Sequence, residues 1–123
     1  DTVMVDFSTG KQEITMLTSN EADCIRLAND CATACNVCAS ECLKSEDPKA
    51  MATCVSHDLE CAELCRVAAG SIARGGPNMK AICALCAAAC RACADACGTH
   101  DMEHCKRCAE ACRKCADACS AMA

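Results

Sequence analysis

The sequence predicts an all-α fold: an antiparallel up-down-up-down four-helix bundle with a cysteine-lined core, preceded by a short N-terminal arm. Cysteines recur at alternating spacings of three and four residues, which places them on one stripe of an α-helix. Turn signals divide the chain into four helical segments, and short turns join helices as antiparallel neighbours. The 123 residues include one aromatic side chain, Phe7, so small side chains must fill a narrow core.

The beginning of the chain differs from the rest in composition. Residues 1–18 contain no cysteine, and we interpret them as an arm that precedes a cysteine-rich bundle of residues 19–123. Within the arm, apolar and polar residues alternate over residues 2–7, which favours an extended conformation. A short helical turn is expected near residues 11–17.

The first helix has a recognisable start signal. Thr18 and Glu21 fit a capping box, in which each side chain accepts a hydrogen bond from the backbone N–H of the other residue. The helix is therefore expected to begin near Ser19 or Asn20. It should run to about Lys44.

Proline and glycine mark the ends of the other three helices. Asp47-Pro48 is typical of an N-cap followed by proline in the first turn, and it predicts a second helix that runs to Gly75-Gly76. Gly76-Pro77 predicts the start of the third helix. Gly98-Thr99 predicts a glycine stop followed by the N-cap of a fourth helix, which should run from about His100 to the end of the sequence.

The 18 cysteines are too many and too regularly spaced to serve only as small core residues. Disulfides between neighbours on one helix are excluded, because Cβ atoms three or four residues apart lie about 5–6 Å from each other. A disulfide requires a Cβ separation of roughly 3.5–4.5 Å. Cross-helix disulfides remain possible, but a disulfide scaffold does not need strong helical periodicity. We therefore expect reduced thiols, which favours the cytoplasm.

Reduced thiols in this pattern indicate a metal store, and charge favours a monovalent ion. Zn²⁺ held by four thiolates carries two uncompensated negative charges, which are costly to bury, and no Lys or Arg occupies the cysteine stripe. Soft thiolates select Cu(I), and one ion per thiol leaves the core near neutral. A zinc or mixed-metal thiol buffer is the alternative. An iron–sulfur or redox protein is less favoured, because the ferredoxin cysteine motif is absent.

The chain resembles the bacterial four-helix-bundle copper storage proteins, and among them the cytosolic 18-cysteine class. The resemblance covers about residues 19–121. It rests on the CxxxCxxC repeats, the related segments CRACADAC at 90–97 and CRKCADAC at 112–119, the Asp-Pro and Gly-Pro helix openings, and the number of cysteines. The resemblance implies that multiple Cu(I) ions bind inside each bundle, mainly through pairs of cysteines. It also implies a homotetramer, and storage or detoxification in place of catalysis.

The candidate metal ligands are the thiols of all four helices and two residues beside them. Asp58 occupies a stripe position between Cys54 and Cys61, and His104 precedes Cys105. Both lie at the end of the bundle where we expect copper to enter. Because adjacent helix residues point in different directions, His104 and Cys105 form no catalytic dyad, and we expect no enzyme activity. The full candidate set is Cys24, Cys31, Cys35, Cys38, Cys42, Cys54, Cys61, Cys65, Cys83, Cys86, Cys90, Cys93, Cys97, Cys105, Cys108, Cys112, Cys115, Cys119, Asp58 and His104.

Charge and surface pattern limit the partners. A formal net charge of −5 argues against nucleic-acid and anionic-membrane binding, and no apolar run approaches the ~20 residues of a membrane span. A helix that is apolar on both faces is usually buried on both. We therefore expect the third helix to form the contact between copies of the chain, with copper donors or acceptors as further partners. Its outward apolar residues are Ala81, Ala84, Leu85, Ala88 and Ala92.

Overall fold

The structure is a computed structural model that describes residues 2–3 and 17–123. Its elements are β1 (Thr2–Val3), β2 (Leu17–Thr18), α1 (Ser19–Leu43), a 3-10 helix (Pro48–Met51), α2 (Ala52–Arg74), α3 (Met79–Cys97) and α4 (Glu103–Met122). Each helix packs against the next one in the chain, and α1 also packs against α4. These contacts close a four-helix bundle, which confirms the predicted fold class.

A two-stranded antiparallel ribbon leads into the bundle. Thr2 of β1 lies opposite Thr18 of β2, and Val3 lies opposite Leu17. The helical turn expected near residues 11–17 is wrong at Leu17, which belongs to β2; residues 11–16 lie outside the described residues. Strand pairing with β1 holds Leu17 and Thr18 extended immediately before α1 begins.

The predicted capping box at the start of α1 is confirmed. The Oγ1 atom of Thr18 accepts a hydrogen bond from the N–H of Glu21 at 3.1 Å. In return, the Oε1 atom of Glu21 accepts one from the N–H of Thr18 at 2.9 Å. These two bonds satisfy backbone donors that have no partner inside the helix, and α1 starts at Ser19 as expected.

The second helical segment begins at the predicted position, but its first turn is a 3-10 helix and not an α-helix. Asp47 is the N-cap, and its Oδ1 atom accepts a weak 3.4 Å bond from the N–H of Ala50. The turn that follows is a 3-10 helix, so α2 itself starts at Ala52. At the other end, Gly75 adopts a left-handed conformation with φ 59°, which glycine tolerates best. The predicted glycine stop is therefore confirmed there, and α3 begins at Met79, just after Pro77.

The turn between α3 and α4 differs from the prediction. Gly98 is not a left-handed stop, because its φ is −64°. Glycine is required there by close approach instead, since an added Cβ would lie 2.8 Å from the carbonyl oxygen of Ala94. Thr99 does not cap α4, whose N-cap position is occupied by Met102, and the Thr99 hydroxyl donates to the carbonyl oxygen of Ala96 at 2.8 Å. With that side chain engaged by α3, α4 begins later than predicted, at Glu103.

The core consists almost entirely of cysteine and alanine. All 18 cysteines are buried, with exposed fractions of 1% or less, and Ile72 is the bulkiest fully buried side chain of the described residues. The outward face of α4 is charged, with ion pairs between Arg107 and Glu103 and between Lys114 and Glu110, each at 3.1 Å. None of the described helices combines the length and apolar character that a membrane span requires.

Candidate metal centre

The thiols of the four helices meet along the bundle axis in one continuous column. Each helix carries its cysteines on the stripe that faces the other three helices, so sulfur contacts cross between helices at every level. Examples are Cys61 to Cys90 at 3.5 Å, Cys31 to Cys112 at 3.6 Å and Cys65 to Cys115 at 3.8 Å. The stripe predicted from spacing is therefore the lining of a thiol column.

Within the column, thiols group into overlapping sets of four whose ligand atoms all lie within 4.8 Å of one another. Sets that contain only cysteines include Cys31, Cys65, Cys90 and Cys115; Cys31, Cys35, Cys61 and Cys112; and Cys35, Cys93, Cys108 and Cys112. Cys31, Cys35 and Cys112 each belong to two sets. A shared thiolate can bridge two metal ions, so the geometry suits adjoining sites that form a chain.

Asp58 is the one carboxylate that the described residues place inside this column, and it is fully buried. Its Oδ1 atom accepts hydrogen bonds from the thiols of Cys93, Cys97 and Cys108 at 3.1–3.3 Å. Its Oδ2 atom accepts a longer bond of 3.7 Å from Cys54. Burial, followed by the nearby Cys108 thiol, raises the pKa of Asp58 to about 7. The predicted stripe position of Asp58 therefore brings a carboxylate among thiols from three helices.

His104 connects the column to the protein surface. Its Nε2 atom lies 3.5 Å from the sulfur of Cys42, and these two residues form a possible metal-binding group with Cys38 and Cys105. The His104 side chain is half-buried, and it also lines a surface cavity of about 430 Å³ between α1 and α4. Sequence reasoning singled out His104 but missed this cavity, whose only signal was the outward apolar Val37. The remaining lining residues are Ala34, Val37, Glu41, Glu103 and Arg107.

Two methionines lie at the end of the bundle where we expected copper to enter. Met51, in the 3-10 helix, is 3% exposed and belongs to the core. Met102 is half-buried and packs against the core. His57 lines a separate surface groove together with Leu85, between α2 and α3. His104 thus lies in a group with core thiols, whereas His57 faces a surface groove.

Burial favours the protonated form of two thiols near opposite ends of the column, Cys83 and Cys105. Loss of solvent raises the pKa of Cys83 to about 11. Loss of solvent, together with a hydrogen bond from the Cys105 thiol to the sulfur of Cys42, raises the pKa of Cys105 to about 12. A thiol must lose its proton before it binds a metal ion. Metal therefore has to displace protons from this core, and each proton that leaves must be replaced by positive charge.

Among residues 2–3 and 17–123, the column contains no cationic side chain that could offset excess negative charge. The buried polar residues in the described ranges are Asp58 and Ser71, and no Lys, Arg or His is among them. An isolated buried charge is strongly unfavourable. The site is consequently suited to cations that match its thiolates one for one.

Comparison with known proteins agrees with this geometry. A sequence model of a family described as "Copper storage protein" matches residues 17–123. The Cu(I)-bound copper storage protein BsCsp3 is 42% identical with a TM-score of 0.81, over 85% of this chain and 99% of that one. The copper storage protein Ccsp of Streptomyces lividans, loaded with 10 copper equivalents, is 36% identical with a TM-score of 0.81, over 84% of this chain and 83% of that one.

A curated relative supports the same grouping. The cysteine-rich protein YhjQ of Bacillus subtilis is 44% identical over 83 residues, which cover 68% of this chain and 77% of the relative. The family match spans both the four helices and every cysteine of the thiol column. The chain belongs to the copper storage protein family.

Proposed function

We propose that this protein stores multiple Cu(I) ions along the axis of its four-helix bundle, held by the thiolates of its 18 cysteines. The observation that carries the proposal is the continuous column of overlapping thiol groups, buried and free of cationic side chains in the described residues. The copper-loaded relatives, 36–42% identical, support copper as the metal.

Charge explains why the cargo is monovalent. When each thiol exchanges one proton for one Cu(I), the buried column stays close to neutral as it fills. A zinc ion in a four-thiolate site would leave a net charge of about −2 in an apolar surrounding, which is costly without cationic partners. Cu(I) also prefers soft thiolate ligands. The zinc-buffer alternative is therefore disfavoured by the same absence of buried cations.

Asp58 and His104 complete the proposed ligand set. Asp58 replaces one cysteine of the α2 stripe and points both carboxylate oxygens at thiols, so it can bind a copper ion beside Cys97 and Cys108. His104 offers a nitrogen ligand beside Cys42, next to the surface cavity. Copper enters and leaves at this end of the bundle, and His104 is the first side chain that it meets.

The protein acts as a homotetramer in the cytoplasm and carries out storage or detoxification, without a catalytic step. The exposed apolar residues of α3, led by Leu85, support the contact between copies, because an apolar helix face is normally covered. The Streptomyces lividans relative is described as a cytosolic copper storage protein, which supports the compartment. Copper donors or acceptors would meet the bundle at the His104 end.

Anaerobic titration tests the stored metal directly. Reduced, metal-free protein is titrated with Cu(I) in the presence of a competing chromophoric chelator, and in parallel with Zn²⁺. We expect a colourless product that holds at least about one Cu(I) per cysteine, because bridging thiolates serve more than one ion. Saturation at about four ions with Zn²⁺ preferred would point to a four-thiolate buffer instead. A visible iron–sulfur absorption in protein purified without added metal would also overturn the proposal.

A further inference from the structure

Two thiols from different helices lie much closer together than any other pair in the described residues. The sulfur atoms of Cys54 and Cys97 are 2.8 Å apart. The next shortest sulfur–sulfur contact, between Cys61 and Cys90, is 3.5 Å. A disulfide bond has a sulfur–sulfur length of about 2.05 Å, so this pair needs the smallest movement of any to become bonded.

The position of the pair makes that movement feasible. Cys97 is the last residue of α3, and Cys54 is the third residue of α2, directly after the 3-10 helix. Helix ends open locally at a lower free energy than helix centres, so small oxidants reach them first. The two residues belong to different helices, and the regular geometry that keeps same-helix cysteines apart does not apply to them.

We infer that Cys54 and Cys97 form a site of reversible oxidation, at which a peroxide converts the metal-free dithiol into a disulfide. Peroxide first oxidises one thiol to a sulfenic acid: its O–O bond breaks, an S–O bond forms and one water leaves. The second thiol attacks that sulfur, the S–S bond forms, the S–O bond breaks and a second water leaves. The sum is two thiols and one H₂O₂ giving one disulfide and two H₂O. A thiol reductant reverses the change.

Oxidation at this site would alter the column where Asp58 lies. Both thiols donate hydrogen bonds to the Asp58 carboxylate, at 3.3 Å from Cys97 and 3.7 Å from Cys54. A disulfide removes both donors, withdraws two metal ligands and ties the end of α3 to the start of α2. Bound copper occupies the same sulfurs and should prevent the reaction; this last expectation alone rests on the proposed function.

The sequence allows the disulfide to be assigned directly. Metal-free reduced protein is treated with a small excess of H₂O₂, denatured, alkylated and cleaved on the N-terminal side of aspartate. Cys54 then lies alone in peptide 47–57, and Cys97 lies alone in peptide 95–100. Mass spectrometry without reduction detects the pair as one cross-linked species, which separates again after treatment with dithiothreitol.

A second thiol pair provides a matched control. Cys24 and Cys119 also belong to different helices near their ends, but their sulfurs are 3.7 Å apart. The same cleavage isolates Cys24 in peptide 23–29 and Cys119 in peptide 117–123. We expect the cross-link of 47–57 to 95–100 to exceed the control cross-link by at least about tenfold, because the closer thiol has the higher effective concentration. Cys97→Ser should abolish the cross-link of 47–57 to 95–100, and Cys119→Ser should leave that cross-link unchanged.

The outcomes separate this inference from the storage proposal. Equal amounts of the two cross-links, or conversion of Cys54 and Cys97 to sulfinic acids without a disulfide, would overturn the oxidation site. If the metal-free protein forms the expected disulfide and Cu(I)-loaded protein forms as much of it, the site stands and the proposed binding of copper by these thiols fails. Protection by Cu(I) supports both.

Discussion

The Nε2 atom of His104 lies 3.5 Å from the sulfur of Cys42, and this contact joins the surface of the protein to its thiol column. The rest of the column is sealed, since all its cysteines are buried. A metal ion that moves between solvent and the column at this end therefore passes a nitrogen ligand before it meets a shell of sulfur alone.

Replacement of His104 should slow copper exchange without reducing capacity. In His104→Ala, one ligand of the exchange path is lost, and transfer of Cu(I) to an external chelator should slow by about tenfold, which corresponds to roughly 1.4 kcal/mol of barrier. Stopped-flow measurement with a chromophoric chelator gives the rate, and anaerobic titration gives the capacity. Asp58→Ala should slow exchange in the same way. His57→Ala is the matched control, because His57 faces a different groove; identical rates in all variants would refute the route.

The metal-free protein should lose stability as the pH rises from about 4 to 7. Asp58 keeps its proton up to a pKa of about 7 in the folded chain but releases it near 3.8 when unfolded. The stability that protonated Asp58 contributes to the folded chain is thus fully present below about pH 4 and is lost as the pH rises through 7. The loss is roughly 3 to 4 kcal/mol in the free energy of unfolding.

Asp58→Asn isolates that effect, because asparagine resembles the protonated acid and does not titrate. Urea unfolding of both proteins at a series of pH values gives the difference in the free energy of unfolding, in which the exposed carboxylates cancel. As the pH rises from 4 to 7, the free energy of unfolding of the wild type should fall relative to that of Asp58→Asn. A difference that does not change with pH would show that Asp58 ionises normally.

Leu85→Glu should break the proposed assembly through α3. Leu85 is 56% exposed in the single chain, and a charge at that position would be costly to bury against a second copy. Sedimentation velocity should show a tetramer for the wild type and a smaller species for the variant. Leu43→Glu is the control, because Leu43 is equally exposed but lies at the end of α1. A wild-type protein that sediments as a monomer at micromolar concentration would contradict this assembly.

Thr18→Ala should destabilise the start of α1. The change removes the acceptor of the 3.1 Å bond from the N–H of Glu21, and loss of such a cap costs about 1 kcal/mol. Thermal unfolding of the metal-free protein measures the change. Thr18→Ser retains the hydroxyl and should restore most of the stability; equal losses in the two variants would show that the cap is not the cause.

The fold was predictable because the spacing of the cysteines shows the periodicity of an α-helix. Cysteines at spacings of three and four place the stripe on each helix, and the Thr18–Glu21 pair and Gly75 locate helix ends by local hydrogen bonding and backbone conformation. The start of α4 was not predictable in this way. Thr99 suits an N-cap in sequence, but its hydroxyl bonds to Ala96 of the preceding helix, and only the packed turn decides between the two partners.

The burial of the stripe residues was predictable from the sequence, but their contacts were not. Stripe position identifies Asp58 as a core residue, and the structure adds that three thiols donate to one of its oxygens. The cavity beside His104 and the short distance between Cys54 and Cys97 depend on how helices lie against each other. Spacing within one helix carries no information on such distances across helices.

The near absence of large hydrocarbon side chains from the core has a consequence for the lifetime of the protein. Sulfur atoms occupy the space that leucine and isoleucine fill in other bundles, and weak contacts between thiols hold the empty protein together. Each bound ion replaces such contacts with coordinate bonds between helices and stabilises only the folded chain. Proteases act on the unfolded fraction. We therefore expect turnover of the protein to follow its copper content, with empty molecules degraded first and filled ones persisting.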